Sequence, residues 1–174
     1  YSTGETHVAG ALVAAATGKN TADYLSEKIW SRLGMQADAN WWLESPDGLE
    51  VGGSGLSATL RDYARFGLFL LNDGVIDGER MVPEGWMEEA TSPKDIGGEK
   101  VDYGYMFWPL HGKSYAAIGI FGQFIFVDAR TGELLWKGEP RAAENAAISR
   151  AGNLLFALKD DGELDSSESS SSII

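Results

Sequence analysis

The sequence predicts an α+β fold in which helices come first and an antiparallel sheet follows. Two patterns carry that expectation. Apolar residues recur at helical spacing, with capping residues at the ends, in three segments between Glu5 and Asn72. Beyond residue 100, short aromatic and β-branched runs lie close together with glycines between them, as in strands joined by hairpins.

The elements follow in order. Glu5 to Ala16 reads as a buried helix, because Val8, Ala9, Ala11, Leu12, Val13, Ala15 and Ala16 leave almost no polar face. Ser2 and Glu5 have capping-box spacing, and Gly18 stops the helix. Thr21 to Leu33 reads as a second helix on Tyr24, Leu25, Ile29 and Leu33, with Gly34 as terminator. Gln36 to Leu56 is a loop, with turn chemistry at Ser45-Pro46-Asp47-Gly48 and a Gly52-Gly53-Ser54-Gly55 cluster that permits close backbone approach. Thr59 to Asn72 is the strongest helix, capped by Thr59 and Asp62. Pro83 to Ala90 is a short helix with proline near its first turn. Tyr103–Trp108, Tyr115–Ile120 and Gln123–Asp128 read as strands, Leu134–Trp136 and Leu154–Leu158 as shorter ones, and Arg141–Ile148 as helix or loop. Asp160 to Ile174 is an acidic, serine-rich tail expected to be disordered.

Composition narrows the function. Apolar residues make up 44% of the 174, enough to bury a core. A net charge of −12 disfavours nucleic acid and anionic membrane surfaces as partners. No apolar run is long enough to span a bilayer as a helix. There is no cysteine and there are two histidines, so no metal site is expected. The glycine cluster lacks the Gly-Lys-Ser/Thr ending of a phosphate loop, and no cofactor is expected. The chain opens at Tyr1 with neither an initiator Met nor a signal peptide, and so reads as a fragment or a processed product. The compartment stays open between bacterial cytoplasm and periplasm.

A serine nucleophile needs a base within hydrogen-bond reach, and one solution is Ser-x-x-Lys on a helix. None of the seven lysines has a serine three positions earlier. Gly-x-Ser-x-Gly is also missing, because Leu56 stands where the last glycine would follow Ser54.

The remaining motifs are nonetheless ordered. Tyr1-Ser2-Thr3-Gly4-Glu5 runs into the apolar helix and Gly18-Lys19; Gly52 to Gly67 forms a loop-plus-helix; Leu70 to Gly74, Val82 to Trp86 and Gly119-Ile120-Phe121-Gly122-Gln123 follow. Together, over residues 1–128, they resemble the C-terminal part of serine hydrolases related to class C β-lactamases, in the 6-aminohexanoate-oligomer hydrolase and esterase branch. The resemblance implies a partial serine β-lactamase-like fold and acyl-enzyme chemistry on a small-molecule ester or amide. The missing N-terminal half of such a hydrolase becomes the expected partner, and the isolated chain is expected to be inactive.

The resemblance also implies roles. Tyr1 would exchange protons with the serine and the leaving group, a task that as a base requires nearby cations to stabilise the phenolate. Against this stands an ordinary frayed tyrosine. Thr3 falls where the family has Asn or Ser, and its hydroxyl can still donate and accept. Gly119, Ile120, Phe121, Gly122 and Gln123 match the strand motif that replaces Lys-Thr-Gly, where a backbone N–H would complete an oxyanion hole. A plain strand corner reads equally from the same glycines. Some relatives carry histidine where Phe121 stands. Trp41 and Trp42, with Trp86 and Trp108, suit either an acyl-pocket wall or core packing. His7 reads as a hydrogen-bonded core or rim residue and His111 as part of a hairpin turn; neither is given a catalytic role.

A second resemblance starts at residue 129. Asp128-Ala129-Arg130-Thr131-Gly132 leading to Trp136, and Gly152 to Leu164, resemble repeats of quinoprotein-like β-propellers. The domain expectation is therefore a partial hydrolase domain over 1–128, a propeller-repeat-like strand segment over 129–164 and a tail over 165–174. One blade cannot close a ring, so the segment would have to extend the hydrolase sheet. Two other functions remain compatible: a non-catalytic binding domain on the same scaffold, and a chimeric product without function.

Overall fold

The computed structural model describes residues 1–119, 123–137, 156–158 and 164–165, and shows the expected mixture of helices and antiparallel sheet. It divides into two compact units, residues 1–65 and 66–174.

The first unit begins with α1 (Thr3–Thr17), whose N-cap Ser2 accepts a hydrogen bond from the Glu5 N–H and whose C-cap is Gly18. The sequence suggests that this helix is buried, but no residue of α1 is, and Val8 and Leu12 are 66% and 68% exposed. The apolar pattern was real; within the first unit only one face of the helix is covered. Helix α2 (Thr21–Lys28) is shorter than expected, and Trp30–Arg32 continues as a 3₁₀ turn. The start of α2 is held twice: Asn20 caps the Asp23 N–H, and the buried Glu50 carboxylate accepts from the Thr21 and Ala22 N–H groups at 3.0 and 3.1 Å. A carboxylate there satisfies orphan amides and meets the positive end of the helix dipole. Strands β1 (Asn40–Trp41) and β2 (Leu56–Ser57) pair antiparallel, and the expected turn closes with Gly48 N–H donating to Ser45.

Asp62 is the polar centre of this unit. It sits in the first turn of α3 (Leu60–Leu71) with no exposed surface. Its carboxylate accepts from the Gln36 N–H at 2.7 Å, the Ala37 N–H at 3.3 Å, the Thr59 hydroxyl at 2.7 Å and the Arg65 guanidinium at 2.9 Å. Burial pushes the Asp62 carboxyl up, but the hydrogen bonds from Gln36, Thr59, Arg65 and Ala37 outweigh it and hold the group below its ordinary value.

In the second unit, two short hairpins, β3–β4 (Val75–Ile76 with Glu79–Arg80) and β5–β6 (Lys94–Ile96 with Glu99–Val101), flank α4 (Trp86–Ala90) in the chain. Neither hairpin was expected from the sequence, because each strand is too short to show a period. The main sheet is antiparallel, in the order β12-β11-β10-β9-β8-β7, with β7 (Trp108–Pro109), β8 (Ser114–Ile118), β9 (Phe124–Asp128), β10 (Glu133–Lys137), β11 (Phe156–Leu158) and β12 (Leu164–Asp165). The segment after residue 128 thus extends this sheet, with Leu134 opposite Val127. The turn between β9 and β10 is held by Asp128, whose carboxylate accepts from the Arg130 and Thr131 N–H groups. His111 lies in the β7–β8 connection, beside Gly112 at φ 72°. The helix-or-loop segment Arg141–Ile148 and residues 160–163 and 166–174 of the tail lie outside the described residues; the described part of the tail, Leu164–Asp165, pairs as β12 where disorder was expected.

The Tyr103–Trp108 strand is not formed as expected. Residues 103–107 make a turn, with Gly104 N–H donating to Phe107 and Tyr105 N–H donating to Ala90. A Cβ on Gly104 would stand 2.0 Å from the Ala90 carbonyl oxygen, so the chain presses against the end of α4 instead of a neighbouring strand. The second unit's core lies where α3 meets the sheet: Leu134 and Val127 are fully buried, and Gly67 leaves room for Leu134. The Tyr115 hydroxyl donates to Leu70 at 3.1 Å, and burial, with the charge of Asp73, pushes this phenol up.

Two outcomes follow. Leu134→Ala should lower stability by about 2–5 kcal/mol, the range for truncating a buried leucine, in urea unfolding followed by circular dichroism. The folded state binds a proton at Asp62 less readily than the unfolded chain does. The carboxylate therefore stabilises fully above about pH 4, and its contribution is lost as the pH falls through the depressed folded value. Asp62→Asn should cost roughly 1–3 kcal/mol at neutral pH, because an amide N–H then faces a buried donor. It should also flatten the acid limb of a stability–pH curve measured in urea.

Candidate active site

The sequence-predicted residues of the first unit gather around one short loop, Val51–Gly55. Tyr1 lies just before α1 and is 68% exposed, yet its hydroxyl donates to the Gly53 carbonyl at 3.1 Å. It is therefore tied down at its tip. A carbonyl oxygen only accepts, so this bond requires the proton on the phenol oxygen.

Thr3 opens α1 and backs directly onto Gly53. A Cβ at Gly53 would lie 2.5 Å from Thr3 Cγ2 and 2.6 Å from its carbonyl oxygen. One residue earlier, a Cβ at Gly52 would lie 2.8 Å from the Thr6 oxygen and 3.0 Å from His7 Cα. Gly10 completes the row, with its own added Cβ 3.2 Å from Gly52 Cα. Thr3, Thr6/His7 and Gly10 share a helix face. The loop lies flat on that face because its glycines let its backbone reach the helix backbone and the Thr3 methyl.

His7 holds the loop as well. The Gly52 N–H donates to His7 Nδ1 at 3.2 Å, and His7 Nε2 is 3.3 Å from Glu44 Oε2. This matches the expectation of a hydrogen-bonded rim histidine. The sequence held a signal for the contact, a histidine on an apolar helix and a glycine cluster, but nothing in it paired the two.

Trp41 and Trp42 meet the same loop. The Trp41 indole N–H reaches the Val51 carbonyl at 3.0 Å and the Ser54 carbonyl at 3.2 Å. Trp42 exchanges backbone bonds with Gly55 and Val51, and its side chain crosses Gly55 while remaining 54% exposed. Trp41 is thus a half-buried brace, and Trp42 is the more exposed of the two.

The second unit carries the other candidates. Ile120, Phe121 and Gly122 lie outside the described residues. Gly119 and Gln123 frame them, and the Gly119 N–H donates to the Gln123 carbonyl at 2.7 Å. That amide is committed to the hairpin and is not a free oxyanion donor. Trp86 packs against Tyr105 with ring centroids 5.6 Å apart, and Trp108 meets Tyr103 edge-on at 4.7 Å. Met106 between them has φ 66°, an unusual backbone for a long side chain. Among the described residues, no group of three or more His, Asp or Glu could hold a metal ion. Among them too, no helix is long and apolar enough to cross a membrane.

The model of the β-lactamase family matches residues 1–149. The chain belongs to the β-lactamase family. The matched span runs past residue 128, so the first part of the segment 129–164 also falls inside it. Within the family, the chain is 29% identical over 153 residues to the 6-aminohexanoate-dimer hydrolase of Paenarthrobacter ureafaciens, covering 79% of this chain and 38% of that protein. Among solved structures, it is similar to the "Putative 6-aminohexanoate-dimer hydrolase from Bacillus anthracis", with TM-score 0.70 and 27% identity over 86% of this chain and 41% of that one. A Bacteroides dorei structure described as a putative beta-lactamase shares the fold, with TM-score 0.58 and 20% identity over 72% of this chain and 44% of that one. The chain therefore spans about two fifths of the length of these β-lactamase-family relatives.

Gly52→Ala should displace the loop from α1, because its new methyl meets backbone atoms on a helix that cannot yield. The expected cost is about 1–3 kcal/mol, the usual price of overpacking. The Trp41 indole N–H, resolved by NMR, should exchange faster with solvent as its two carbonyl partners move.

Proposed function

We propose that this chain carries the tyrosine arm of an acyl-enzyme serine hydrolase that cleaves a linear amide or ester. The carrying observation is the Tyr1 hydroxyl, held by Gly53 at the head of α1 inside a chain of the β-lactamase family. The name of the Paenarthrobacter relative supports a short amide built from 6-aminohexanoate units as the substrate class.

In this reading a Ser-x-x-Lys segment lies on sequence other than these 174 residues. The serine oxygen attacks the carbonyl carbon, an ester to serine forms, and the C–N or C–O bond breaks. The proton lost by serine ends on the departing amine or alcohol, and Tyr1 is the group that passes it on. Water then cleaves the serine ester, releasing the acid and restoring the hydroxyl. Trp42 offers apolar surface to the methylene chain of the substrate. The outer face of α1, with Val8 and Leu12 exposed, is covered by the segment that brings the serine.

The 174 residues by themselves should neither hydrolyse a chromogenic short-chain ester nor react with a fluorophosphonate. A longer protein that joins the sequence encoded ahead of Tyr1 to this chain should do both. In that protein Tyr1→Phe should lower kcat by roughly 10²- to 10⁴-fold, the usual worth of positioned proton transfer. Covalent labelling of a serine in the pure 174-residue chain would overturn the proposal. So would an upstream sequence with no Ser-x-x-Lys.

A further inference from the structure

We infer that His7 is a positioning residue for Tyr1, acting through the Gly52–Gly53 loop. This rests on the reading of Tyr1 as the proton-transfer group. The Gly52 N–H donates to His7 Nδ1 at 3.2 Å, so Nδ1 must carry a lone pair. The ring proton then sits on Nε2, and that nitrogen lies 3.3 Å from Glu44 Oε2. The Gly52 bond fixes this tautomer, and a carboxylate beside Nε2 suits it.

One peptide further on, the Gly53 carbonyl accepts the Tyr1 hydroxyl. The loop rests on α1 by backbone contact at Thr3, Thr6/His7 and Gly10. The His7 bond is the directional one among these contacts, and it sets where the Gly53 oxygen points. The chain runs Tyr1, then α1, then His7, and returns through the loop to Tyr1, which closes a small circuit.

Protonation breaks that circuit. A proton on Nδ1 would face the Gly52 N–H, donor against donor, and the loop would lose its hold. Among the described residues the charged group facing His7 is Glu44. Acid therefore frees the loop, and the Tyr1 phenol loses its fixed acceptor.

NMR on the full chain tests this without any turnover. A long-range proton–nitrogen correlation at neutral pH should find His7 protonated at Nε2 and bare at Nδ1. On acidification the His7 ring, the Gly52 amide and the Tyr1 ring should shift with one common midpoint, and contacts between the Tyr1 ring and Gly53 Hα should fade. His7→Asn places an oxygen near the Nδ1 position; it should keep those contacts and abolish the pH response. His7→Ala should lose them, with Gly52 amide exchange roughly 2- to 12-fold faster, the factor an ordinary hydrogen bond controls. A proton on Nδ1 at neutral pH, or unchanged Tyr1–Gly53 contacts in His7→Ala, would overturn the inference. If the Ala variant fails to fold, the wild-type tautomer and the Asn variant still decide it. Absence of hydrolysis in the longer protein, with this NMR response intact, would count against Tyr1 as a proton carrier and not against the clamp.

Discussion

Direct contact between the backbone of α1 and the backbone of the Val51–Gly55 loop constrains everything else in the first unit. Two main chains approach this closely only where no Cβ stands between them, and Gly10, Gly52 and Gly53 remove it on both sides. The contact brings polar groups with it. Once the loop lies on the helix, the Gly52 N–H needs an acceptor and finds His7, while the Gly53 carbonyl needs a donor and finds Tyr1. On the loop's other flank, the Val51 and Ser54 carbonyls take the Trp41 indole. A tyrosine that would otherwise fray at the head of a helix is thereby given an address.

Buried carboxylates perform the same service where helices start. Glu50 satisfies the first amides of α2, and Asp62 gathers two loop amides, a hydroxyl and a guanidinium at the start of α3. Asp128 does so for a turn in the sheet. In the last two, burial opposes ionisation and the donors win, so each group stays below its ordinary value. An acidic chain thus uses part of its charge inside, as an organiser of backbone, and not only as a solvated coat.

The sequence made these elements legible to different degrees, for identifiable reasons. Ser2, Thr59 and Gly18 announce helix ends because capping is local chemistry, decided within four residues. The Asp128 turn is local chemistry of the same kind, closed within three residues. The exposure of α1 was not, since a run of apolar residues records that a face is to be covered but not by what. The Tyr103–Trp108 strand failed because Gly104 meets Ala90, a partner fourteen residues away that propensity cannot see. The candidate site divides along the same line. The motif order pointed to Tyr1, Thr3 and the Gly119–Gln123 strand. The pairing of His7 with Gly52 spans forty-five residues and left no local trace.

On the proposed reading of Tyr1 as the proton-transfer group, its hydrogen bond bears on the chemistry more than its exposure does. A carbonyl partner selects the protonated phenol, which is the form that delivers a proton to a departing amine. It is the wrong partner for a phenolate, because the carbonyl dipole presents its negative end. For Tyr1 to accept a proton from serine, the Gly53 bond must first be exchanged for a positive neighbour, as the lysine of Ser-x-x-Lys would provide. The two halves of a proton relay then differ in what holds the tyrosine: a carbonyl when it is ready to give, a cation when it is ready to take. The loop that supplies the first is built into this chain by its glycines. On the proposed reading, the second comes with the segment that carries the nucleophile, and the base function of Tyr1 arrives with the serine.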